Sequence, residues 1–423
     1  MFNGAGSFRG DLSKWNVSRV TDMSYFMVEA NFFDSNLSGW DTSQVVNASQ
    51  MFVWANNFKG NGLESWNVSK VVDASDMFRG TYSFNGDLSK WNVSSIINAT
   101  GMFAYTTDFD GDLSRWDVSA IKSMFEMFQL ASAFRGIGLE NWNTAEVETM
   151  AGMFVGASSF NSNLSKWNVE KVMTMEGMFQ LATSFDANLS NWNVTNVQSM
   201  FGMFDEATSF QGIGLEYWNT SKVIEFQQMF YQTSIFDANL SQWDTSRATD
   251  LSLMFWNATA FRGIGSVENW NISNVLRASA MFQYASVFDA NLSQWDVSQI
   301  YDMIGMFAYA TSFQGKGMEQ WDTSSLMFAE GMFYEAKSFN ENLTNWDVSR
   351  VYDMNLMFAD AVSFKGIGLD DWNISNVNNT AYMFDSAISF NANLSGWDYK
   401  NIQNMTDMFH NATSFEGVFW MDK

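Results

Sequence analysis

A phrase reading Leu12-Ser13-Lys14-Trp15-Asn16-Val17-Ser18 recurs along the chain with small changes, for example as Leu164-Ser165-Lys166-Trp167-Asn168-Val169-Glu170. Its tryptophans begin at Trp15, Trp40, Trp66 and Trp91 and run to Trp397 at steps of 25 or 26 residues, with a single 27 between Trp243 and Trp270. Such a period marks a solenoid, because each repeat has an apolar side that only its neighbours can cover. The period outweighs the length of 423 residues as a guide to domains. The expectation is one solenoid domain over 1–423 of about sixteen coils, without a polar cap at its start and with the register lost after about 415.

One full repeat reads Val147, Met150, Met153-Phe154, Ala157, Phe160, Leu164, Trp167, Val169. The spacing of Met150, Met153, Phe154 and Ala157 is i, i+3, i+4, i+7, which predicts a helix of two to three turns. Leu164, Trp167 and Val169 follow the form L-x-x-L-x-L, which predicts a short strand, and polar or glycine-containing pieces such as Asn161-Ser162-Asn163 turn the chain between the two. The predicted fold is therefore an α/β solenoid, leucine-rich-repeat-like, with a parallel sheet on one face and short helices on the other. An all-β helix with 150–157 extended is the alternative. Longer turns such as Gly136-Ile137-Gly138-Leu139 recur in every third repeat up to Trp218 and in every second one after it.

Stacked coils turn a repeated position into a column. The predicted core ladder contains Trp15, Trp91, Trp167, Trp192, Trp243, Trp295 and Trp346, with Phe154 and Phe179 in a second column and Phe160 and Phe185 in a third. Burying each ring is worth roughly 1.5 to 3 kcal/mol before the entropy of ordering is subtracted. With 47% hydrophobic and only 16% charged residues, the chain has ample core material and is not held open by its charge.

The balance of 22 Lys plus Arg against 46 Asp plus Glu gives −24, which repels phosphate backbones and anionic headgroups and argues against nucleic acid as a partner. No cysteine is present, so there is neither a disulfide framework nor a thiolate site. No apolar run approaches the roughly 20 residues of a membrane span, and the start shows no basic segment followed by an apolar one.

Met-Phe-x-x-Ala-x-x-Phe, then Leu-Ser-x-Trp-Asp/Asn-Val/Thr-Ser and Val-x-x-Met, resembles the tandem repeat of mycoplasma-type surface lipoproteins and BspA-like proteins, a relative of leucine-rich repeats. Repeats of some microalgal extracellular proteins are similar. The resemblance spans Met1 to about Phe415 and implies an extracellular or cell-surface scaffold. The lipobox cysteine of the lipoproteins is missing here.

Catalysis needs acid, base or nucleophile side chains that converge, and in a repeat array these should interrupt the pattern. The one histidine, His410, lies between Phe409 and Asn411 with no evident partner, so neither enzyme activity nor a cofactor is expected. Asp and Asn interchange beside the Leu and after the Trp, which suits an acceptor for turn N–H groups. Calcium through Asp110-Gly111-Asp112 or Asp186-Ala187-Asn188 is the sharper alternative, though it wants more carboxylates per site. Asn47, Asn98 and Asn257 are sequon asparagines on the helical side and candidate glycan sites.

Trp54, Tyr105, Leu130, Leu181, Tyr284 and Tyr309 each stand two residues after the Met-Phe phenylalanine, as a stack within the chain or as a partner surface. Acids such as Glu126 and Glu176 lie on the same side, and bases such as Lys14 and Lys166 flank the tryptophan phrase. Phe2 and Phe8 at one end and Phe415, Phe419 and Trp420 at the other are candidate end contacts. The expected function is an extracellular structural or adhesive repeat protein that associates with itself, head to tail and laterally, into a filament or matrix. The alternative is a monomeric surface receptor or adhesin that binds protein or glycan on its sheet face.

Overall fold

The computed structural model describes residues 2–417. They form two compact units, Met1–Trp218 and Asn219–Lys423, whose boundary coincides with the change in spacing of the longer turns. Both are built from coils of the same kind.

A coil in the first unit starts at Thr149, which makes single parallel bridges to Ser123 in the coil before it and Thr174 in the coil after it. Two alternating sets of hydrogen bonds follow. The N–H groups of Met153, Val155 and Ala157 close turns onto the carbonyls of Met150, Gly152 and Phe154 at 3.1, 3.2 and 3.1 Å. Those of Gly152, Phe154 and Gly156 donate to Glu176, Met178 and Gln180 of the next coil at 2.8, 2.9 and 2.7 Å. Further turns close from Phe160 to Ala157, Trp167 to Leu164 and Val172 to Val169. Met150, Met153, Phe154, Ala157, Phe160, Leu164, Trp167, Val169 and Val172 are all buried.

The predicted helix over the Met-Phe segment is corrected by this pattern. Among the described residues the only helical elements are the single 3-10 turns Leu63–Ser65, Leu139–Asn141, Leu215–Tyr217 and Met318–Gln320. An α-helix needs every N–H to reach back four residues, whereas here each second N–H leaves for the neighbouring coil. Gly152 and Gly156 have φ of 64° and 65°, the left-handed value required at the third residue of a type II turn. Successive turns still bring i, i+3, i+4 and i+7 inward, so the apolar spacing imitates a helix.

The predicted strand is corrected in its place. At Leu164 to Val169 the chain turns, with Trp167 N–H donating to Leu164 O at 3.0 Å, and the parallel pairing lies about fifteen residues earlier in the coil, in the column containing Asp73, Asn98, Ser123 and Thr149. Oxygen-bearing side chains there cap the following turn, as Asp73 Oδ1 does by accepting the Ser75 N–H at 2.9 Å. An Asx turn of this kind supplies an acceptor that a lone bridge leaves missing.

Trp192 stacks between Trp167 and Trp218, with centroids 6.5 and 6.3 Å apart and planes within 4° and 1°. Its Nε1–H donates to Leu164 O at 3.1 Å, and Trp167 and Trp91 make the same bond one coil back, onto Leu139 O and Leu63 O at 2.8 Å each. Phe154 lies 3.8 Å from Phe160 and 5.7 Å from Phe179, and Phe160 lies 5.9 Å from Phe185. Trp91, Trp167 and Trp192 in the first unit, and Trp243, Trp295 and Trp346 in the second, are buried. Trp15 departs from the ladder at 38% exposure, its ring lying 5.7 Å from Phe2 and 6.3 Å from Phe26.

Candidate interaction face

Four positions in the coil lie off the core columns and reach the surface where their side chains are large: the pair between the two methionines, as at Phe125-Glu126, and the pair after the phenylalanine, as at Gln129-Leu130. The second member of each pair is left-handed, and this holds where it is not glycine. Trp54, Tyr105, Leu130, Leu181, Tyr284 and Tyr309 have φ between 55° and 63°. A left-handed non-glycine residue costs of the order of 1–2 kcal/mol, which the inter-coil hydrogen bonds offset. The backbone therefore fixes where these side chains stand whatever their chemistry.

In the first unit Trp54 lies across Gly80, where a Cβ would overlap its ring, and so reaches Tyr105 at 5.7 Å. The Arg79 guanidinium stands 5.1 Å over the Tyr105 ring and pairs with Glu126 at 3.0 Å and Asp76 at 3.3 Å. Leu130 and Leu181 are exposed, with Leu130 covering Gly156.

In the second unit Tyr284 stacks on Tyr309 at 4.4 Å. Three aromatics missed from sequence extend this pair into a stripe. Trp256 meets Tyr284 edge-on at 5.3 Å, Tyr231 stacks on Trp256 at 4.4 Å, and Tyr334 meets Tyr309 edge-on at 5.0 Å. Tyr231, Trp256 and Tyr334 stand one residue after the phenylalanine rather than two, so a search along one column passes over them. Reading both outward positions together would have found the stripe. Trp256 Nε1–H donates to Gln283 Oε1 at 2.9 Å. A hydrogen bond with Tyr334, and then burial, push the Tyr309 hydroxyl up to about 12.

Asp205, in the first unit, is 7% exposed. Its Oδ2 accepts the Gln180 side-chain N–H at 2.7 Å, while its buried Oδ1 has no hydrogen-bond partner among the described residues. Burial, aided slightly by Glu206, pushes its carboxyl up from 3.8 to about 6. The folded state thus binds the proton more tightly than the unfolded chain, so the protein loses stability as pH rises from about 4 to about 6 and carries the full penalty above that. Asp205→Asn is expected to raise stability by about 1–3 kcal/mol at pH 7.5 and to leave it nearly unchanged at pH 3.5. Urea unfolding midpoints at the two pH values test this, and an equal effect at both would attribute the gain to packing.

His410 does have a partner, contrary to the sequence reading: its Nδ1 lies 2.8 Å from Asp385 Oδ1. The two are 25 residues apart, so the pair spans adjacent coils and was hidden by sequence distance. Asp110 accepts the Arg135 backbone N–H at 3.0 Å and pairs with its guanidinium, and Asp186 accepts the Gln211 N–H at 2.9 Å, so these turn carboxylates link coils. Among the described residues no group of three or more His, Cys, Asp or Glu side chains is placed to hold a metal ion.

Asn47 and Asn98 are half-buried members of the bridge column, each accepting the N–H two residues on, at 3.0 and 3.1 Å. Asn257 stands on the outward face at φ 56°. Phe2 stacks on Phe8 at 4.3 Å and Phe415 on Phe409 at 4.4 Å, whereas Phe419 and Trp420 lie outside the described residues. Among the described residues no helix is long and apolar enough to cross a membrane.

The family described as Mycoplasma protein of unknown function, DUF285, matches residues 1–62, 53–138, 134–214, 211–318, 264–367 and 313–420. No curated protein matches the chain. Among solved structures, a leucine rich cell surface protein of Faecalibacterium prausnitzii is 11% identical over 84% of this chain and 78% of that one, with a TM-score of 0.29. A Leptospira interrogans leucine-rich-repeat protein is 8% identical over 95% and 96%, with a TM-score of 0.22.

Proposed function

Since the chain belongs to the family described as Mycoplasma protein of unknown function, DUF285, a leucine-rich-repeat-like family of tandem repeats, we propose that it is a non-enzymatic adhesive or binding scaffold at a cell surface or outside the cell. The observation that carries this reading is the contrast within each coil. The tryptophan, the two phenylalanines and the methionine of Met-Phe barely change and are buried in the inner coils, while the four outward positions change from coil to coil on a fixed backbone. A repeated frame that carries variable chemistry on its turn face suits recognition of other macromolecules, and function is carried by the site rather than by the fold. The turn face, rather than the face carrying the tryptophan phrase, is the proposed binding surface.

Filament formation is the finer form of the same reading. A net charge of −24 opposes lateral packing of like chains, so head-to-tail contact is the form such a filament would take. The full chain presented to a panel of extracellular proteins and glycans should retain a partner in a manner abolished by turn-face substitutions and untouched by substitutions beside the tryptophan phrase. Retention that ignores the turn-face changes would overturn the reading. In sedimentation at high micromolar concentration, a polymer supports the filament form and a monomer leaves the monomeric adhesin.

A further inference from the structure

We propose that the stripe Tyr231, Trp256, Tyr284, Tyr309 and Tyr334, with the carboxylates of Glu335 and Asp360 at its end, is a docking surface for a lysine- and arginine-rich polypeptide segment. This rests on the reading of the turn face as the binding surface and names the class of partner.

Three observations converge. The stripe is continuous over five coils of the second unit, at ring separations of 4.4, 5.3, 4.4 and 5.0 Å, and every member is partly exposed. Partly exposed rings give a surface for the alkyl stem of a lysine and the plane of an arginine, with attraction to the cationic head added.

The charged side chains of the outward columns beside the rings are acidic. Among the described residues of the second unit, the four outward columns hold Glu330, Glu335, Asp360, Asp385 and Asp407 but no lysine or arginine. Two cationic groups reach in from elsewhere or can form there: Lys337 pairs with Glu335 at 3.2 Å, and His410 lies on Asp385. Asp360 has neither. Burial, then the charges of Glu335 and Asp385, push its carboxyl up, with Lys337 opposing. The carboxylates in these adjacent coils repel one another, and an incoming cation relieves that repulsion.

The third observation concerns which occupants fit. A second copy of the chain also carries −24 and is repelled at long range, and its basic side chains include many already held by acids, as Arg262 is by Asp237, Arg277 by Asp250 and Lys316 by Asp289. A basic segment from a different protein is drawn in by the same field. A neutral glycan can donate hydroxyls to the carboxylates but is not drawn in by their field, and its CH faces need open ring faces, which the stacked pairs Tyr231–Trp256 and Tyr284–Tyr309 cover in part.

Calorimetric titration of the full chain with an unstructured peptide of about a dozen residues, mainly lysine and arginine, tests the assignment. Tyr284→Ser with Tyr309→Ser leaves the charge unchanged and should weaken binding at least about tenfold, as should Glu335→Gln with Asp360→Asn. The control Asp370→Asn with Asp371→Asn removes the same charge from exposed positions beside Trp372 and should change affinity less than about threefold. Phenylalanine at 284 and 309 keeps the rings and should keep most of the affinity, which guards against misfolding of the serine variant. Raising salt to about 0.5 M should weaken the wild-type complex strongly.

A control that loses as much as the two face variants, or a tyrosine variant that binds as tightly as wild type, would show only a diffuse acidic field and overturn the proposal. Stripe-dependent binding of a neutral oligosaccharide or an acidic peptide in place of the basic one overturns the cationic class and leaves the turn face as the binding surface. A partner retained by the wild-type chain but untouched by every turn-face substitution overturns both.

Discussion

Trp192→Ala is expected to lower the stability of the folded chain by about 3 to 5 kcal/mol, the range of large aromatic truncations in a closed core. The ring is 3% exposed, stacked between Trp167 and Trp218 and tilted against Phe179 at 6.2 Å. Truncation opens a cavity in a stack of rigid planes and removes one of the two donors on Leu164 O, leaving the Trp167 N–H in place, so the cavity is the larger part of the loss. The neighbouring rings cannot close the gap, because their own indole N–H groups are tied one coil back, Trp167 to Leu139 O at 2.8 Å and Trp218 to Leu189 O at 3.3 Å. Equilibrium urea unfolding followed by backbone circular dichroism measures the loss. A loss below about 1 kcal/mol, as for surface changes, would place the ring outside the core.

The tryptophan column also shows why the core was legible from sequence while the local structure was not. A ring that returns every 25 or 26 residues has to be covered by its own copy, and this holds whether the chain between copies is helix, strand or turn. The residues Met150, Met153, Phe154 and Ala157 could likewise be read as inward-facing. Their spacing did not tell a helix from a run of turns, because both bring i, i+3, i+4 and i+7 to one side. The missing signal was the second member of each outward pair. Glycine stands there at Gly152, Gly177 and Gly202, and again at Gly305 and Gly331, far more often than a helix interior tolerates. Elsewhere it is Trp54, Leu130 or Tyr284, so the signal shows only when many coils are read together.

The candidate face was legible in part for the same reason. Column reasoning found Tyr284 and Tyr309 but passed over Tyr231, Trp256 and Tyr334, because stacking depends on which outward position lets rings meet, and the stripe moves between the two positions. Asp205 escaped because its burial follows from its coil neighbours, whereas in sequence Asp205-Glu206 reads as a charged surface pair.

Gly214→Ala is expected to be as damaging as the loss of a core ring, though it adds only one carbon. Gly214 belongs to the longer turn Gly212-Ile213-Gly214-Leu215 and has φ of 100°, which side-chain-bearing residues rarely adopt. A Cβ there would overlap the backbone nitrogen of Ser190 and lie 2.7 Å from the carbonyl carbon of Leu189. Both atoms are backbone of the preceding coil, so no side chain can swing aside. They are also held in place, because Leu189 N–H donates to Ile213 O at 3.0 Å and Ser190 N–H to Asn188 Oδ1 at 2.9 Å. Relief requires the coils to separate locally, which strains the Trp218 Nε1–H bond to Leu189 O and the stack below it. Conformational strain of about 1–3 kcal/mol and overpacking of about 1–3 kcal/mol together predict a loss of about 3 kcal/mol or more. Gly265→Ala is the matched control, since Gly265 also has a positive φ, 69°, but no atom within 4 Å of the added carbon. It should cost only the conformational part, about 1–2 kcal/mol. Urea midpoints of the two variants measured side by side separate the close approach of the coils from the cost of the left-handed backbone. Equal losses would show that the coils can move apart freely at the longer turns.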